Sequence, residues 1–462
     1  MSSHSLSNKY RKNILILIIF FICVFIRLYN FNGNDLWYDE LLSYWIADPN
    51  IDWSATISRN LEFNHGSQIA FTIILKFFFK IFGYDPDLSR LVSILFGILT
   101  FPLLLILNKK IKNNNSTILL LFLFTLNSYL ISYDHELRSY SFVVFIFTLN
   151  LIFFINLYKK NRLFDYVFFS LVNLIGLVNH SFFAIIIFSE FIFLLLSYNN
   201  KNIIIRFLIF QIVVIIFFYL ISIKSLLSQI QIDQFWIQKV NVKFLIDYYF
   251  SRFFSSKLLG TIYLITFFSV VYFNFKEFFK KNSLFNLLLI IIFFSYLIPL
   301  LYQFIKIPIL TDRYIIFVVI PILLIISHGV YKLNNSKLKK LFIILLCFFT
   351  FGDAILKIQK KEITKPEFKE SLKYISKSNT NDVLIEGNIV QYNLLKNYFR
   401  SINNQMVFLN EVDGDDKKLF WHLCYLSINL KSKCQKPAVK NQILKIDSKN
   451  FHLVSINLYK IQ

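Results

Sequence analysis

The feature that most constrains this chain is a series of long apolar runs, which recur from near the N-terminus to about residue 356. An apolar run of about 20 residues is long enough to cross the hydrocarbon core of a bilayer as a helix. Hydrophobic residues make up 56% of the 462 residues and charged residues only 16%, against about 25% in soluble proteins. This excludes a disordered, collagen-like or coiled-coil chain and argues against one soluble globular domain.

The net charge of +22 has a topological explanation. In a soluble protein it would suggest nucleic-acid binding, but here Lys and Arg collect in short segments between apolar runs, as in cytoplasmic loops of membrane proteins. We therefore expect no nucleic-acid partner. The basic clusters are Lys109–Lys112, Lys159–Arg162, Lys201–Arg206, Lys276–Lys281 and Lys332–Lys340, and alternate loops lack them.

These clusters predict eleven transmembrane helices. The first run follows Lys9, Arg11 and Lys12 without a small-residue cleavage site, so we expect an uncleaved helix leaving the cytoplasm. The protein is then expected in the bacterial cell (inner) membrane, with its N-terminus in the cytoplasm and its C-terminus on the outer side. Residues 69–83 carry Lys76 and Lys80 and are predicted as an amphipathic helix on the outer surface. The other runs fall at about 89–107, 117–133, 140–157, 164–180, 182–198, 207–223, 258–274, 284–303, 313–331 and 341–356.

Two domains are expected. Residues 1–356 form the membrane domain, with extracytoplasmic loops at 31–88 and 224–257, and residues 357–462 form a small extracytoplasmic α/β domain. That tail alternates helix and strand signals. They are a helix start at Pro366–Leu372, a strand at Asp382–Glu386, a helix near Val390–Phe399, and strands at Gln405–Leu409 and His452–Leu458. A disulfide between Cys424 and Cys434 is left open, and no cysteine spacing indicates a zinc site.

Five separate segments bring acids, histidines and arginines to the predicted outer ends of the helices. They are Trp37–Glu40, Asn64–Ser67, Asp134–Tyr140, Asn179–His180 and Thr311–Tyr314. Ionisable groups at a membrane edge are costly and are treated as functional hypotheses. A carboxylate there can act as a general base toward a hydroxyl, and arginines can bind a phosphate. A lipid-linked sugar phosphate presents its phosphate at this depth.

Each segment also has a purely structural explanation. Trp37 and Tyr38 fit an interfacial aromatic belt, and Arg138 and Arg313 fit arginines that extend to headgroups. Arg90 is expected to be an interfacial anchor.

Two further structural explanations apply to the same outer ends. The carboxylates of Asp134 and Glu136 could simply compensate the charge of Arg138, and His180 could be a buried histidine that is hydrogen-bonded to a neighbour. The convergence of all five segments on one side favours the functional interpretation.

The arrangement of these segments resembles GT-C glycosyltransferases, in particular the family 39, protein O-mannosyltransferase-like group of bacterial membrane proteins. The acidic motif is Leu36–Glu40, Glu136–Tyr140 resembles the family's Glu-x-Arg-x-Tyr motif, and Asn179–Phe182 resembles its Thr-His-Tyr-Phe turn. Arg313-Tyr314 with Pro321 resembles its late Arg-Tyr helix. His65-Gly66-Ser67 departs from the family's His-Pro-Pro segment.

The resemblance implies transfer of a hexosyl or pentosyl group from a polyprenyl-phosphate donor, with inversion, to a protein, lipid or glycan hydroxyl. Carried over, Asp39 is the expected base, with Glu40 as the alternative. As the neighbour of the base, Glu40 would orient it, bind the acceptor or assist. Arg138 and Arg313 bind the donor phosphate.

The remaining positions receive weaker assignments from the same resemblance. His180 and Tyr140 are further candidates for phosphate binding, and no cofactor is expected. Asp39, Glu40 and Asp134 could by composition bind a divalent metal, which is not favoured. The candidates for positioning acceptor or donor are Trp37, Tyr38, His65, Glu136 and Asp134.

Three alternatives stay open. A flippase or transporter should carry polar groups along a path at the bilayer midplane, whereas these helix interiors read as almost wholly Ile, Leu, Phe and Val. A polymerase or ligase of lipid-linked glycans is compatible with the long 224–257 loop. A structural or binding membrane protein would not explain the convergence of charge.

Overall fold

The protein is mostly helical and ends in a small mixed sheet. The computed structural model describes residues 3–111, 115–197, 201–230, 237, 239–241, 249–280, 282–359, 364–378, 380–386, 389–403, 406–409, 419–425, 437 and 442–461. Two compact units divide the chain. The helical unit comprises Met1–Tyr29, Ile57–Phe71 and Leu91–Lys360, and the mixed unit comprises Asn30–Thr56, Thr72–Arg90 and Lys361–Gln462.

Each predicted apolar run coincides with a helix in the described part of the chain. The helices of the first 230 residues are α1 Ser3–Leu28, α2 Tyr38–Ile46, α3 Trp53–Phe63, α4 Ile69–Phe82, α5 Pro86–Ser89, α6 Leu91–Lys110, α7 Thr117–Thr125, α8 Ser128–Asp134, α9 Tyr140–Lys160, α10 Leu163–Asn179, α11 Phe183–Ser197 and α12 Lys201–Ile230. They are followed by α13 Tyr249–Phe253, α14 Lys257–Phe273, α15 Phe275–Phe278, α16 Leu284–Ile305, a 3₁₀ helix Asp312–Val318, α17 Val319–Lys332, α18 Ser336–Gln359, α19 Phe368–Ile375 and α20 Ile389–Ile402.

The chain is a polytopic helical membrane protein. Six of its described helices are long and apolar enough to cross a bilayer, or seven if the bent pair α7–α8 counts as one span. Three further apolar helices, α10, α11 and α14, are shorter. The number of eleven spans therefore stays a prediction, although every run on which it was based is helical.

Burial separates central from peripheral helices in the helical unit. The span Asp312–Lys332 is 89% buried over its most apolar stretch, whereas Lys201–Ser225 and Ser336–Gln359 are only 22% buried. All three spans are apolar. The apolar side chains of the two exposed spans therefore face lipid rather than a protein core. Arg313 is half-buried at the first turn of this central span.

The mixed unit contains a five-stranded sheet in the order β2–β1–β3–β5–β4. β1 Asp382–Ile385 pairs in parallel with β2 Val407–Leu409 and β3 Leu419–Tyr425. β5 Val454–Ile461 pairs antiparallel with β3 and with the edge strand β4 Ile443–Phe451. The α/β prediction is confirmed, but β3 and β4 were not predicted. Cys424 is disulfide-bonded, and Cys434 lies outside the described residues.

The predicted surface helix at residues 69–83 forms as α4, but one of the two lysines of its predicted polar stripe is buried. Within the mixed unit Lys76 is completely buried. Its ammonium donates to the carbonyl oxygens of Asp48 at 2.9 Å and Ile51 at 2.7 Å, and to Thr56 Oγ1 at 2.7 Å. Buried oxygen acceptors satisfy the charge that we expected to face water, and Lys80 alone of the pair stays exposed.

Candidate functional site

The acidic motif sits at the start of α2 in the mixed unit. Glu40 occupies the third position of the helix and accepts a hydrogen bond from the Trp37 backbone N–H at 3.2 Å. A glutamate at this position satisfies one of the free N–H groups that every helix start exposes. The side chain of Glu40 is fully buried, while Asp39, Trp37 and Tyr38 are half-buried. The two neighbouring carboxylates therefore have different environments.

Two cations hold the Glu40 carboxylate. Arg90 donates from Nε at 2.8 Å and from Nη2 at 2.9 Å, and Lys365 Nζ lies at 2.7 Å. Arg90 also donates to the carbonyl oxygens of Phe31, Asn34 and Asp35. Arg90 is only 2% exposed, so its prediction as an interfacial anchor is wrong. Its planar donor fork instead organises the loop before α2.

The charge state of Glu40 follows from these partners. Burial by itself raises the pKa of the Glu40 carboxyl. The charges and hydrogen bonds of Arg90 and Lys365 have the larger, opposite effect and lower the pKa to about 2. A group of that pKa is a poor proton acceptor near neutral pH. Asp39, the other carboxylate of this motif, is half-buried.

Asp35 extends the same network and was not singled out from the sequence. Its carboxylate accepts from the Lys369 backbone N–H at 2.7 Å and from Tyr398 Oη at 3.2 Å. Burial raises the pKa of Asp35 despite these bonds. Residues from the loop before α2, from α19 and from α20 thus meet within the mixed unit. No local sequence pattern marks Asp35, because its partners lie more than 300 residues away.

In the helical unit, Asp134 belongs to an ion pair that the sequence did not indicate. Arg27 Nε lies 2.8 Å from Asp134 Oδ2, and both side chains are buried. Ser141 Oγ donates to Asp134 Oδ1 at 2.6 Å, and His135 Nε2 lies 2.8 Å from the Arg27 carbonyl oxygen. The expectation that Asp134 balances Arg138 is wrong, since its partner is the arginine at the end of α1.

The turn that contains His65 has several hydrogen bonds and lacks the two prolines. His65 and Gly66 both have positive φ, of 49° and 66°. The side chains of Asn60 and Asn64 donate to the Ser67 carbonyl oxygen at 3.1 and 2.9 Å. Local side-chain hydrogen bonds of this kind favour turns. Hydrogen bonding therefore defines the backbone where the family has prolines.

This turn connects two other predicted motifs. The Gln68 backbone N–H donates to the Asn179 carbonyl oxygen at 3.0 Å, next to His180. Gln68 Oε1 accepts from the Ser139 backbone N–H at 3.3 Å, between Arg138 and Tyr140. Arg138 itself is 7% exposed, and its N–H donates to the Glu136 carbonyl oxygen at 2.7 Å. Three predicted segments therefore meet in the helical unit.

The fourth predicted segment of this unit reaches His180 through aromatic contact. The His180 ring lies edge-on to the Tyr314 ring at 5.4 Å, and the Arg313 guanidinium lies 5.9 Å from the same ring. His180 Nδ1 accepts the Phe182 N–H at 3.3 Å, which leaves Nε2 as the position that carries the proton in the neutral ring. His180 and Arg313 thus flank one tyrosine.

Aromatic rings continue this cluster. Tyr133 packs edge-on against both Tyr129 and Tyr140, each at 4.9 Å. Arg252, 45% exposed at the end of α13, lies 3.6 Å from the buried Asp312 carboxylate. Sequence analysis missed Arg252, because it lies in the 224–257 loop among residues with no motif. Asp233 and Trp236 of that loop lie outside the described residues.

Polar residues also occur deep among the apolar helices, which corrects the expectation of purely apolar interiors. Asn150 Nδ2 of α9 donates to Asn173 Oδ1 of α10 at 2.7 Å, and Asn173 Nδ2 donates to Gln211 Oε1 of α12 at 3.0 Å. These bonds join three helices near their midpoints. Glu190 of α11 is fully buried beside Asn150, and neither of its carboxylate oxygens has a hydrogen-bond partner among the described residues.

One cluster among the described residues has the composition of a metal site. Glu386, His422 and Cys424 place one ligand atom each within 4.8 Å of one another. Cys424 is disulfide-bonded, however, and a thiolate is the species that binds metal. Burial lowers the pKa of His422 to about 4, as expected for a core histidine. The disulfide therefore removes the thiolate ligand from this cluster.

No protein-family model matches the sequence, and neither does any curated protein. Solved structures do match. ArnT from Cupriavidus metallidurans bound to undecaprenyl phosphate superimposes with a TM-score of 0.61 at 9% identity, over 96% of this chain and 97% of that one. The chain has the fold of GT-C glycosyltransferases.

The oligosaccharyltransferase of Archaeoglobus fulgidus shares this fold. Its apo form superimposes with a TM-score of 0.52 at 12% identity, over 86% of this chain and 64% of that one. The same enzyme, AglB, in complex with an inhibitory peptide and a dolichol-phosphate gives a TM-score of 0.51. This chain therefore spans less than two thirds of the archaeal protein. The predicted GT-C architecture is confirmed.

Proposed function

We propose that the protein is a membrane glycosyltransferase that moves a sugar from a polyprenyl-phosphate donor to an acceptor hydroxyl outside the cytoplasm. The observation that carries this proposal is the contrast within the acidic motif. Glu40 is buried and neutralised by two cations, whereas its neighbour Asp39 remains partly accessible. Such an arrangement holds one carboxylate in place beside a second carboxylate that a ligand can reach.

The reaction needs one base and a stabilised leaving group. The Asp39 carboxylate accepts the proton of the acceptor hydroxyl, and the hydroxyl oxygen attacks the anomeric carbon. The bond from that carbon to the phosphate oxygen breaks, and the polyprenyl phosphate departs with the electron pair. A single displacement inverts the anomeric carbon, as in other inverting glycosyl chemistry. Phosphate leaves without a general acid, so a second catalytic carboxylate is not needed.

Arg138 and Arg313 are proposed to hold the donor phosphate, with His180 and Tyr140 beside them. Arginines stabilise the charge that develops on a departing phosphate. The turn at His65 and the ring of Tyr314 connect their segments within the helical unit. Support from comparison comes from ArnT, which was solved with undecaprenyl phosphate.

The remaining assignments complete the proposal. Transfer takes place without a divalent metal, on the outer face of a bacterial inner membrane. The acceptor is a hydroxyl of a protein, a lipid or a glycan, and the transferred sugar is a hexose or a pentose. Trp37, Tyr38 and Glu136 are proposed to position acceptor or donor. Transfer that survives EDTA would support the metal-free mechanism, and loss restored by Mg²⁺ or Mn²⁺ would contradict it.

The first test is transfer of sugar from a labelled polyprenyl-phosphate donor in membranes. Asp39→Asn is expected to reduce transfer by about 10²-fold or more, since a positioned base typically contributes 10² to 10⁴. Glu370→Gln is the matched control, because this acid is exposed and pairs with the nearby Lys373. Full transfer by a normally folded Asp39→Asn protein would overturn the assignment of the base.

A second test addresses the phosphate. Arg138→Gln and Arg313→Gln are each expected to lower kcat/KM for the donor by about 10²-fold to 10³-fold, as for other donors that stabilise a developing anion. Arg206→Gln is the control, since Arg206 is an exposed arginine of the same unit. An unchanged KM and kcat in both variants would remove the arginines from the donor site.

A further inference from the structure

The helical unit contains a polar cavity that the proposed reaction does not use. It has a volume of about 440 Å³, within the range of small-molecule sites. Lys332, His328 and Tyr331 of α17 line one side, and Glu277, Ser283 and Phe285 line the other. The cavity therefore combines a cation, a carboxylate, hydroxyls and aromatic rings in one place.

The position of the cavity relates it to the membrane. The span Asp312–Lys332 carries Arg313 at one end and Lys332 at the other. Its 21 residues correspond to about 30 Å of helix, the thickness of the hydrocarbon core. α16 also starts at this level, with Leu284. The cavity thus lies at the headgroup level of the leaflet opposite the proposed phosphate site.

The charges in the cavity are of both signs. Lys332 Nζ pairs with Glu277 Oε1, and the two side chains remain 36% and 43% exposed. Ser283 caps α16 by accepting the Phe285 N–H at 3.2 Å, so the positive end of that helix lies beside the lysine. Because Lys332 and Glu277 pair with each other, the matching ligand carries both charges and exchanges this pair for its own anion at Lys332 and the helix start and its own cation at Glu277.

Exposed aromatic rings lie on α15, the short helix that carries Glu277. Phe275 and Phe279 flank Glu277 in sequence, are 56% and 47% exposed, and lie 4.5 Å apart. Because residues two apart on a helix do not face each other, these rings lie on the side of α15 away from Glu277. Rings exposed at the edge of a membrane protein face lipid chains rather than water. α15 therefore separates the cavity from lipid at headgroup level, which points to a lipid ligand rather than to a soluble metabolite.

We propose that this cavity binds the headgroup of phosphatidylethanolamine, with the phosphate at Lys332 and the ammonium at Glu277. A phosphatidylglycerol headgroup would satisfy Lys332 but would leave the Glu277 carboxylate beside a phosphate. A phosphocholine headgroup cannot donate hydrogen bonds to Glu277, because its nitrogen carries no hydrogen. The matched pair of charges therefore selects a primary ammonium together with a phosphate. The inference is independent of which sugar the protein transfers.

The test is native mass spectrometry of the delipidated full-length protein with defined lipids. Phosphatidylethanolamine is expected to bind at least about tenfold more tightly than phosphatidylglycerol or phosphatidylcholine. Lys332→Ala should weaken phosphatidylethanolamine binding by about tenfold, and Glu277→Gln should remove the preference over phosphatidylglycerol. Lys280→Ala is the charge-matched control and should leave both properties unchanged, because Lys280 does not line the cavity.

Three outcomes would overturn the proposal. One is equal binding of the three lipids, and another is unchanged preference in Lys332→Ala and Glu277→Gln. The third is displacement of the lipid by soluble O-phosphoethanolamine at a similar concentration, which would show that the lipid chains contribute nothing. A loss of folding in Lys332→Ala would be recognised by its thermal transition, and Glu277→Gln then provides the decisive comparison.

Discussion

At the scale of single residues, Asp39 and Glu40 show how neighbours in sequence acquire different roles. Both belong to one turn of α2, yet only Glu40 points into a buried pair of cations. The sequence predicted that this motif mattered and ranked Asp39 above Glu40 as the base, which stays a prediction. It could not show that the two carboxylates differ in burial and partners, because Arg90 is 50 residues from Glu40 and Lys365 is 325 residues from it.

The first residue-scale prediction concerns acid stability. The folded pKa of Glu40 is about 2, below its ordinary value of 4.5, so the unfolded chain takes up the proton first as pH falls. The stabilisation is complete above pH 4.5 and is lost between 4.5 and 2. It amounts to about 3 kcal/mol. Thermal unfolding of the detergent-solubilised protein should show an apparent Tm that falls across this interval.

Glu40→Gln provides the comparison for that experiment. The variant leaves Arg90 and Lys365 partly buried without their carboxylate, so a loss of about 3–5 kcal/mol at neutral pH is expected. The variant should also lack the Glu40 contribution to the acid transition. Glu370→Gln, at an exposed acid, should behave as wild type. If Glu40→Gln retained the same pH dependence, the transition would belong to another group.

At the scale of elements, the helices were predictable and their side-by-side contacts were not. Apolar runs and basic loops are local patterns, so the positions of α6, α9 and α16 follow from the sequence alone. The Asp134–Arg27 pair between α8 and α1, and the polar network of α9 to α12, depend on which helices meet. For that reason the predicted partner of Asp134 was wrong, and Glu190 was overlooked.

Gly97 of α6 provides an element-scale test of the Arg27–Asp134 pair. A Cβ atom at residue 97 would lie 2.5 Å from the Asp134 carboxylate. Gly97→Ala is therefore expected to destabilise the protein by about 1–3 kcal/mol through overpacking. Gly352→Ala in α18 is the control, since no heavy atom lies within 4 Å of its Cβ position. Equal apparent Tm values for the two variants would contradict the packing argument.

The polar network supports a second element-scale prediction. Glu190→Gln keeps the shape of this buried side chain and its place beside Asn150, so folding and sugar transfer should stay close to wild type. Glu190→Leu should not lower the apparent Tm, because neither carboxylate oxygen has a hydrogen-bond partner among the described residues and an apolar side chain carries no desolvation cost. A transporter that uses a midplane carboxylate would instead lose its activity in Glu190→Gln. This variant therefore separates the enzyme from the transporter alternative.

At the scale of the whole molecule, the remaining prediction is the orientation in the membrane. The basic loops predict that Lys337 lies in the cytoplasm and that Lys373, beyond α18, lies outside. Lys373→Cys should react with an impermeant maleimide in intact cells, and Lys337→Cys only after permeabilisation. Native Cys23 is buried and Cys347 is half-buried, and wild type measures their background. The reverse labelling pattern would invert the proposed topology.

The sequence by itself determined that the chain spans a membrane, where its helices lie and which polar segments interrupt them. These properties depend on local composition, since a bilayer selects for length and hydrophobicity within each run. Only the tertiary structure decided the partners of those polar residues. Glu40 met Arg90 and Lys365, Asp134 met Arg27, and Lys76 met a ring of carbonyl oxygens. A charge can be buried only with a partner, and that partner comes from whichever distant segment the fold brings near.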